Sequence, residues 1–241
     1  MKKWILFDCM ETLIDMTNLP NSEDYALWAF EGSEAEALWD DFRDFYIDYR
    51  AARIEIEKEL PRFKEYEMNE RYRRILGSKV KGKELEKIVA NMDEVFWNRY
   101  SSECYAKESV IEAVSVLSKK YYLGVVSNFK IKSGVRDLLK KTGLLEHFEF
   151  SVNSCEIGWK KPHDQIYYAA RELAGVDFDN IVFIGDDYAN DYEKPKALGC
   201  RTLLYDPFGS HTKAEYRIKD FNELLTSNII VGEGMEINEQ E

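Results

Sequence analysis

Runs of apolar residues alternate with amphipathic segments through the second half of the chain. The runs YYLGVVSN, FEFSVN, NIVFIGDD and CRTLLYD are separated by stretches in which apolar residues recur every three or four positions. Continuously apolar strands that alternate with helices are typical of a parallel sheet buried between helices. The apolar run ILFD near the amino terminus belongs with the same sheet. The pattern therefore predicts an α/β fold with a parallel sheet and helices on both faces.

A long helical tract interrupts this alternation after the first strand, over residues 16–102. Ser33 and Glu36 have the spacing of a capping box, which marks the start of a helix. Apolar residues then recur at intervals of three and four, which predicts one long amphipathic helix that stops or restarts at Pro61. These apolar residues are Leu38, Phe42, Phe45, Tyr49, Ala52 and Ile56. Two further helices follow, the first of which ends near Gly77, so the tract predicts an inserted helical bundle.

Polar residues stand where the predicted strands end. They are Asp8 after the first strand, Ser127 and Asn128 after the second, and Asp186 and Asp187 after a later one, with Asp191 one turn further on. Ligands of Rossmann-like sheets bind beyond the carboxyl ends of the strands, so we expect these side chains to meet in one crevice. Lys161, immediately before Pro162, adds a cation. Together they form a candidate site with a nucleophilic carboxylate, a hydroxyl, a lysine and an acidic cluster.

Four segments of the chain resemble the motifs of the haloacid dehalogenase superfamily of hydrolases. FDCMETLID resembles the first motif, VVSN the second, EIGWKKP the third and IGDDYAND the fourth, and they occur in the family's order. The inserted helices are similar to the cap of the subgroup that includes 2-haloacid dehalogenases, phosphonoacetaldehyde hydrolase and phosphoglycolate phosphatase. The chain is then expected to divide into a Rossmann-like catalytic core of residues 1–15 and 103–230, a helical cap of residues 16–102, and an acidic tail of residues 231–241.

The resemblance implies a role for each residue of the candidate site. Asp8 would attack the substrate and form a covalent intermediate. Lys161 and Ser127 would act with it in catalysis, and Ser127, Asn128 and Lys161 would bind the transferred group. Magnesium is the implied cofactor. Its ligands would be Asp8, Asp186, Asp191 and the backbone carbonyl of Met10, with Asp187 as a further candidate.

Met10 occupies the position at which the family's first motif has a second aspartate that shuttles a proton. A positioned general acid or base is typically worth about 100-fold to 10,000-fold, so its loss should slow the expulsion of a poor leaving group. Three explanations stay open at this point. The substrate has a leaving group that needs no proton, such as an acyl phosphate, an aryl phosphate or a halide; Glu11 or a cap side chain supplies the proton; or turnover is weak.

The resemblance favours a magnesium-dependent phosphatase or phosphohydrolase of a small molecule. The alternatives are an enzyme like 2-haloacid dehalogenase or phosphonoacetaldehyde hydrolase, and a weakly active or inactive pseudo-enzyme that binds a phosphorylated ligand. The family's dehalogenases replace the acidic fourth motif with one that contains serine, whereas Asp186 and Asp191 are present here. Phosphonoacetaldehyde hydrolase uses a cap lysine, and neither Lys58 nor Lys64 has a distinctive context.

Charge and composition limit the expected partners. A formal net charge of −12 and a pI of about 4.9 disfavour binding to nucleic acid or to anionic membranes. No run approaches the roughly 20 apolar residues that span a bilayer, and no signal-peptide layout is visible, which predicts a cytoplasmic protein. The expected partner is a small, phosphorylated substrate, and the protein is expected to be a monomer or a homodimer.

Overall fold

The computed structural model describes residues 3–227 and residue 230. Its strands are β1 (Trp4–Phe7), β2 (Asp15–Met16), β3 (Cys104–Tyr105), β4 (Tyr122–Ser127), β5 (Phe150–Asn153), β6 (Ile181–Gly185), β7 (Arg201–Tyr205) and β8 (Arg217–Ile218). Its α-helices are α1 (Ser22–Phe30), α2 (Phe42–Glu59), α3 (Met68–Leu76), α4 (Gly82–Glu103), α5 (Glu108–Ser118), α6 (Gly134–Lys141), α7 (Ser154–Ile157), α8 (Asp164–Ala174) and α9 (Lys194–Ala197). Short 3-10 helices cover Glu34–Leu38, Leu145–His147, Phe178–Asn180 and Phe221–Thr226, and a π-helix covers Tyr188–Glu193.

A six-stranded sheet in the order β5-β4-β1-β6-β7-β8 forms the centre of the molecule, and all of its neighbouring strands are parallel. Successive side chains of a strand point to opposite faces of the sheet. Accordingly, Ile5 and Phe7 of β1 lie in one apolar cluster with residues of α5 and α6. Trp4 and Leu6 lie in a second cluster with residues of α8. The predicted fold class, a parallel sheet with helices on both faces, is confirmed.

The predicted strands all occur in this sheet, and the structure adds one more. β8 pairs with Leu204 and Tyr205 at the edge of the sheet. A strand of two residues is too short to leave a hydrophobic pattern in the sequence, and for this reason β8 was not predicted.

Helices α1 to α4 form the insertion after the first strand. The chain leaves the sheet through β2 and returns through β3, and these two strands pair antiparallel, Asp15 with Tyr105 and Met16 with Cys104. Contacts of α1 with α2 and α4, and of α3 with α2 and α4, join the four helices into one bundle. The assignment of residues 16–102 to a separate cap domain stays a prediction. The predicted acidic tail, residues 231–241, lies outside the described residues.

The prediction of a single helix from Ser33 through Ile56 is wrong. Ser33 caps the 3-10 helix Glu34–Leu38, and Trp39 then has extended backbone angles, which break the helix. A new helix, α2, begins after Asp41, whose carboxylate accepts a hydrogen bond from the Asp44 N–H at 3.0 Å. Apolar spacing stays in phase across the break, so the periodicity alone does not reveal it. The end of this helix before Pro61 and the helix end at Gly77 are as predicted.

None of the helices among residues 3–227 combines the length and the apolar character that crossing a bilayer requires.

Candidate active site

Asp8 lies at the centre of the carboxyl edge of the sheet. It follows β1, which lies between β4 and β6, and its N–H donates to the carbonyl of Ile184 in β6 at 2.8 Å. Its side chain is nearly buried, with the residue only 8% exposed. Because β4 and β6 end beside β1, their carboxyl ends bring Ser127 and Asp186 to the same edge.

Lys161 connects two of the acidic residues. Its Nζ lies 2.5 Å from Asp8 Oδ1 and 2.7 Å from Asp191 Oδ1, and all three side chains are buried or nearly so. Burial alone would lower the pKa of Lys161, but the negative charges of Asp191 and Asp8 raise it above its ordinary value. Lys161 therefore stays a cation in direct contact with the candidate nucleophile.

Asn128 holds the backbone of Lys161 in place. Its Oδ1 accepts a hydrogen bond from the Lys161 N–H at 2.6 Å, and its Nδ2 donates to the Lys161 carbonyl at 3.1 Å. We expected Asn128 to bind the transferred group, and the structure shows this additional contact, which the sequence pattern does not indicate. Ser127 is the last residue of β4 and is buried, beside Asn153 of β5.

Three carboxylates are crowded together at this edge. Oxygens of Asp8, Asp186 and Asp191 lie within 4.8 Å of one another. Burial, followed by the negative charge of Asp8, raises the pKa of Asp186 to about 7. Thr12 Oγ1 donates to Asp186 Oδ1 at 2.8 Å and was not predicted as a site residue. Clustered carboxylate oxygens with a single lysine fit a hard divalent cation, so this cluster could bind a metal such as magnesium.

Both oxygens of Asp191 already have donors within the protein. Oδ1 contacts Lys161, and Oδ2 accepts from the backbone N–H of Asp187 at 3.2 Å. The Asp187 carboxylate is exposed and caps the π-helix by accepting from the Asn190 N–H at 2.8 Å. Of the four candidate carboxylate ligands, Asp187 does not belong to the cluster that Asp8, Asp186 and Asp191 form.

Gly185 makes the position of Asp191 possible. A Cβ at Gly185 would lie 2.5 Å from both Cβ and Cγ of Asp191, a distance that no side chain tolerates. The glycine before Asp186 therefore lets the π-helix bring Asp191 against the end of β6.

Met10 lies in a tight turn whose closing hydrogen bonds do not involve its carbonyl. The turn is closed by hydrogen bonds from Ile14 N–H to Cys9 O at 2.9 Å and from Glu11 N–H to Ile14 O at 2.8 Å. Neither bond uses the Met10 carbonyl, and its role as a metal ligand stays a prediction. Glu11 adopts a left-handed backbone conformation with φ of 60°, which glycine adopts most easily.

A cleft of about 910 Å³ opens between the inserted helices and the sheet edge. Met10, Glu11, Asn128 and Lys161 are among the residues that line it. Its lining includes five basic side chains, from Arg53, Arg71, Lys130, Lys160 and Lys161, and two acidic ones, from Glu11 and Glu65. Arg53, Lys130 and Lys161 have carboxylate partners, so among the described ion pairs Arg71 and Lys160 are the cations of the lining left to favour an anionic ligand.

Comparisons with known proteins settle the family. The family model described as haloacid dehalogenase-like hydrolase matches residues 2–199. The chain belongs to the haloacid dehalogenase-like hydrolases. It is therefore a hydrolase, and the resemblance inferred from the four motifs is confirmed.

Individual relatives agree with this assignment. Haloacid dehalogenase-like hydrolase domain-containing protein 3 of Bos taurus is 40% identical over 82 residues, which are 34% of this chain and 32% of that protein. Matches to proteins of this name span between 32% and 48% of those proteins' length.

Solved structures show the same fold. A 2-haloacid dehalogenase from Pseudomonas syringae superposes with a TM-score of 0.75 at 22% identity, covering 94% of this chain and 97% of that one. A phosphatase of the family from Thermococcus onnurineus superposes with a TM-score of 0.67 at 21% identity, covering 95% and 98%. The neighbours thus include both a dehalogenase and a phosphatase, so the fold alone does not identify the substrate.

Proposed function

We propose that the protein is a magnesium-dependent phosphohydrolase of a small phosphorylated molecule that acts through an aspartyl-phosphate on Asp8. The observation that carries the proposal is the cluster of Asp8, Asp186 and Asp191 around Lys161. Dehalogenation needs no divalent cation, and the two further carboxylates beside Asp8 would only repel an anionic haloacid. Phosphoryl transfer, in contrast, uses a cation held by carboxylates to neutralise charge.

Asp8, Asp186 and the Met10 carbonyl would hold the magnesium ion, which would neutralise charge on the phosphoryl oxygens. The Asp8 carboxylate would attack phosphorus, forming an oxygen–phosphorus bond while the bond from phosphorus to the leaving oxygen breaks. Lys161 balances the charge of Asp8 and of the transferred group. Asp191, held between Lys161 and the Asp187 N–H, would position that lysine. Water would then hydrolyse the aspartyl-phosphate and release phosphate.

The leaving oxygen departs with the electron pair of the broken bond, and Met10 has no proton to give it. The site therefore favours leaving groups that are stable as anions, such as those of acyl or aryl phosphates. Some substrates do need a proton for the leaving group. Glu11, which follows Met10 directly and also lines the cleft, is the candidate donor for them. The helices of residues 16–102 would act as the cap that selects the substrate.

The phosphonoacetaldehyde hydrolase alternative requires a cap lysine in the cleft. Lys58 is exposed near the end of α2, and Lys64 packs with its Nζ 4.6 Å from the centre of the Trp159 ring. Neither residue is among those that line the cleft. The described structure therefore offers no observation that favours this alternative.

Magnesium dependence is the direct test of the proposal. We expect the purified protein to hydrolyse acetyl phosphate or 4-nitrophenyl phosphate with magnesium, and kcat/KM to fall at least about tenfold when a chelator removes the ion. Asp186→Asn should raise the magnesium concentration needed for half-maximal activity. Asp179→Asn is the matched control, because Asp179 is exposed and outside the cluster. Hydrolysis that is indifferent to chelation would contradict the proposal.

Gly185→Ala is expected to lower kcat/KM by about 10- to 100-fold, because displacement of a positioning group by about 1 Å has effects of that size. The new methyl group would displace Asp191, and Lys161 would lose its second carboxylate contact. Steady-state kinetics measure the loss, and thermal unfolding checks that the fold remains. A folded variant with unchanged kcat/KM would show that the contact between Asp191 and Lys161 is not needed.

A further inference from the structure

Arg71 is a buried cation whose charge is not paired by the described part of the chain. It lies on α3, lines the cleft and is only 4% exposed. Its Nη2 donates one hydrogen bond, to Tyr66 Oη at 2.8 Å, and its Nε–H has no acceptor. Among residues 3–227, no carboxylate forms an ion pair with it, although surface arginines of the same helix have such partners. A guanidinium has five N–H donors and a permanent charge, so burial without an anion is unfavourable.

Two tyrosine rings hold the Arg71 guanidinium in place. Its Cζ lies 4.5 Å from the centre of the Tyr49 ring and 5.9 Å from the centre of the Tyr66 ring. Stacking on an aromatic face stabilises the cation and fixes the plane of the guanidinium, yet it uses none of the N–H donors. The group is therefore positioned before any ligand arrives.

Glu65 is the one acidic side chain of the cleft lining near this group, and it is already engaged. Its carboxylate forms an ion pair with Lys130 and accepts from Ser154 Oγ at 3.1 Å. Lys130 Nζ also lies 3.6 Å from the centre of the Tyr66 ring, against which Arg71 packs. Burial lowers the pKa of Lys130, Glu65 offsets part of that effect, and the nearby charges of Lys160 and Arg71 make a smaller contribution in the same direction as burial. Glu65 is thus engaged by Lys130, and Arg71 has no ion-pair partner among residues 3–227.

The reacting group of the substrate does not account for this charge. Lys161 already serves Asp8 at the sheet edge, whereas Arg71 belongs to the inserted helices. The two cations therefore lie on different elements that line the same cleft. Because Lys161 is already contacted by Asp8 and Asp191, a ligand that also pairs with Arg71 on α3 would do so through a second anionic group.

We propose that Arg71 binds a second anionic group of the substrate, a carboxylate or a phosphate distinct from the phosphoryl group that reacts with Asp8. The inference rests on the proposed function and narrows its substrate class to phosphorylated small molecules with another acidic group. Both carboxylate and phosphate match the planar donors of a guanidinium. Arg71 would then determine specificity and take no part in the chemistry.

Binding of non-hydrolysable probes tests this inference. The probes are phenylphosphonate, 4-carboxyphenylphosphonate and 1,4-phenylenebisphosphonate, titrated calorimetrically into the full chain with magnesium. We expect at least one of the two doubly acidic probes to bind about 10- to 100-fold more tightly than phenylphosphonate, as a charge-assisted hydrogen bond allows. Whichever binds more tightly identifies the second group as carboxylate or phosphate.

Arg71→Met should abolish this preference while binding of phenylphosphonate changes by less than about threefold, since such a probe lacks the second acid. Arg71→Lys should keep part of the preference, because it retains the charge and loses the planar donors. Arg74→Met is the matched control on the same helix, where Arg74 is paired with Glu59 at 2.7 Å on the surface, and it should keep the preference in full.

Equal binding of all three probes by the wild type would overturn the inference, and so would a preference that survives in Arg71→Met. If Arg71→Met does not fold, the wild-type preference and its reduction in Arg71→Lys decide the question. An Arg71-dependent preference without Asp8-dependent hydrolysis would contradict the proposed function and leave the anion site standing. Hydrolysis without the preference would contradict the anion site alone.

Discussion

Asp8→Asn is expected to lower kcat/KM by about 10,000-fold or more, as the loss of a covalent nucleophile does. The carboxamide has nearly the size of the carboxylate, but its oxygen is a far weaker nucleophile. It can still accept the hydrogen bond from Lys161 Nζ, which lies 2.5 Å from Asp8 Oδ1, so the fold should be retained. The loss should therefore fall on the chemical step.

Three measurements support this test. Steady-state kinetics on the best substrate measure the loss, and thermal unfolding compares the folded states. Mass spectrometry after rapid acid quenching should find a phosphoryl adduct on Asp8 in the wild type and none in Asp8→Asn. Asp15→Asn is the matched control, because it makes the same substitution seven residues further along the chain. Asp15 forms an ion pair with Lys107 at 2.9 Å. Residual activity in Asp8→Asn above about 1% of wild type would contradict the role of Asp8 as the nucleophile.

The core sheet and its strand-end residues could be predicted because both follow from local sequence. Buried parallel strands need continuous apolar runs, and polar residues at their carboxyl ends must meet at one edge. Asp8 and Asp186 are therefore adjacent as a consequence of the strand order alone. The contact of Lys161 with Asp8 was expected from the motif, although the two residues are 153 positions apart.

The group of charged residues around Arg71 in the cleft could not be predicted in the same way. Glu65 and Arg71 lie close together in the chain and Lys130 comes from a distant segment, and nothing in their spacing distinguishes them from charged residues on the surface. What distinguishes them is that Arg71 and Glu65 are buried and that Glu65 pairs with Lys130. Only the packed structure shows these two facts. The break at Trp39 is likewise invisible in the periodicity, since Trp39 is apolar and buried in the core cluster on either reading of the backbone.

Met10→Asp is expected to raise kcat/KM about 100- to 10,000-fold for an alkyl phosphate, because it restores a proton donor for a poor leaving group. Met10 is half-buried and lines the cleft beside Glu11, so a carboxyl group at this position would face the substrate. The turn should tolerate the change, since the hydrogen bonds that close it involve Cys9, Glu11 and Ile14. The Met10 carbonyl would remain where it is.

The ratio of two substrates is the decisive measurement for this variant. An aryl phosphate has a leaving group that needs no proton, so Met10→Asp should change its kcat/KM far less than that of an alkyl phosphate of similar size. Met10→Asn is the matched control, because it introduces a polar side chain of the same size without an acidic proton. It should give no gain with either substrate.

Each outcome separates the hypotheses for the missing aspartate. A gain confined to alkyl phosphates means that Asp8, Lys161 and the metal ligands are competent and that proton transfer alone limits the wild type. An equal gain with both substrates would contradict a proton-transfer role, since a general improvement of binding does not depend on the leaving group. No gain would show that the missing acid at position 10 is not what limits the wild type, and a loss of the alkyl phosphate rate in Glu11→Gln would then point to a replacement acid. That loss would identify Glu11, held in its left-handed conformation beside Met10, as the replacement.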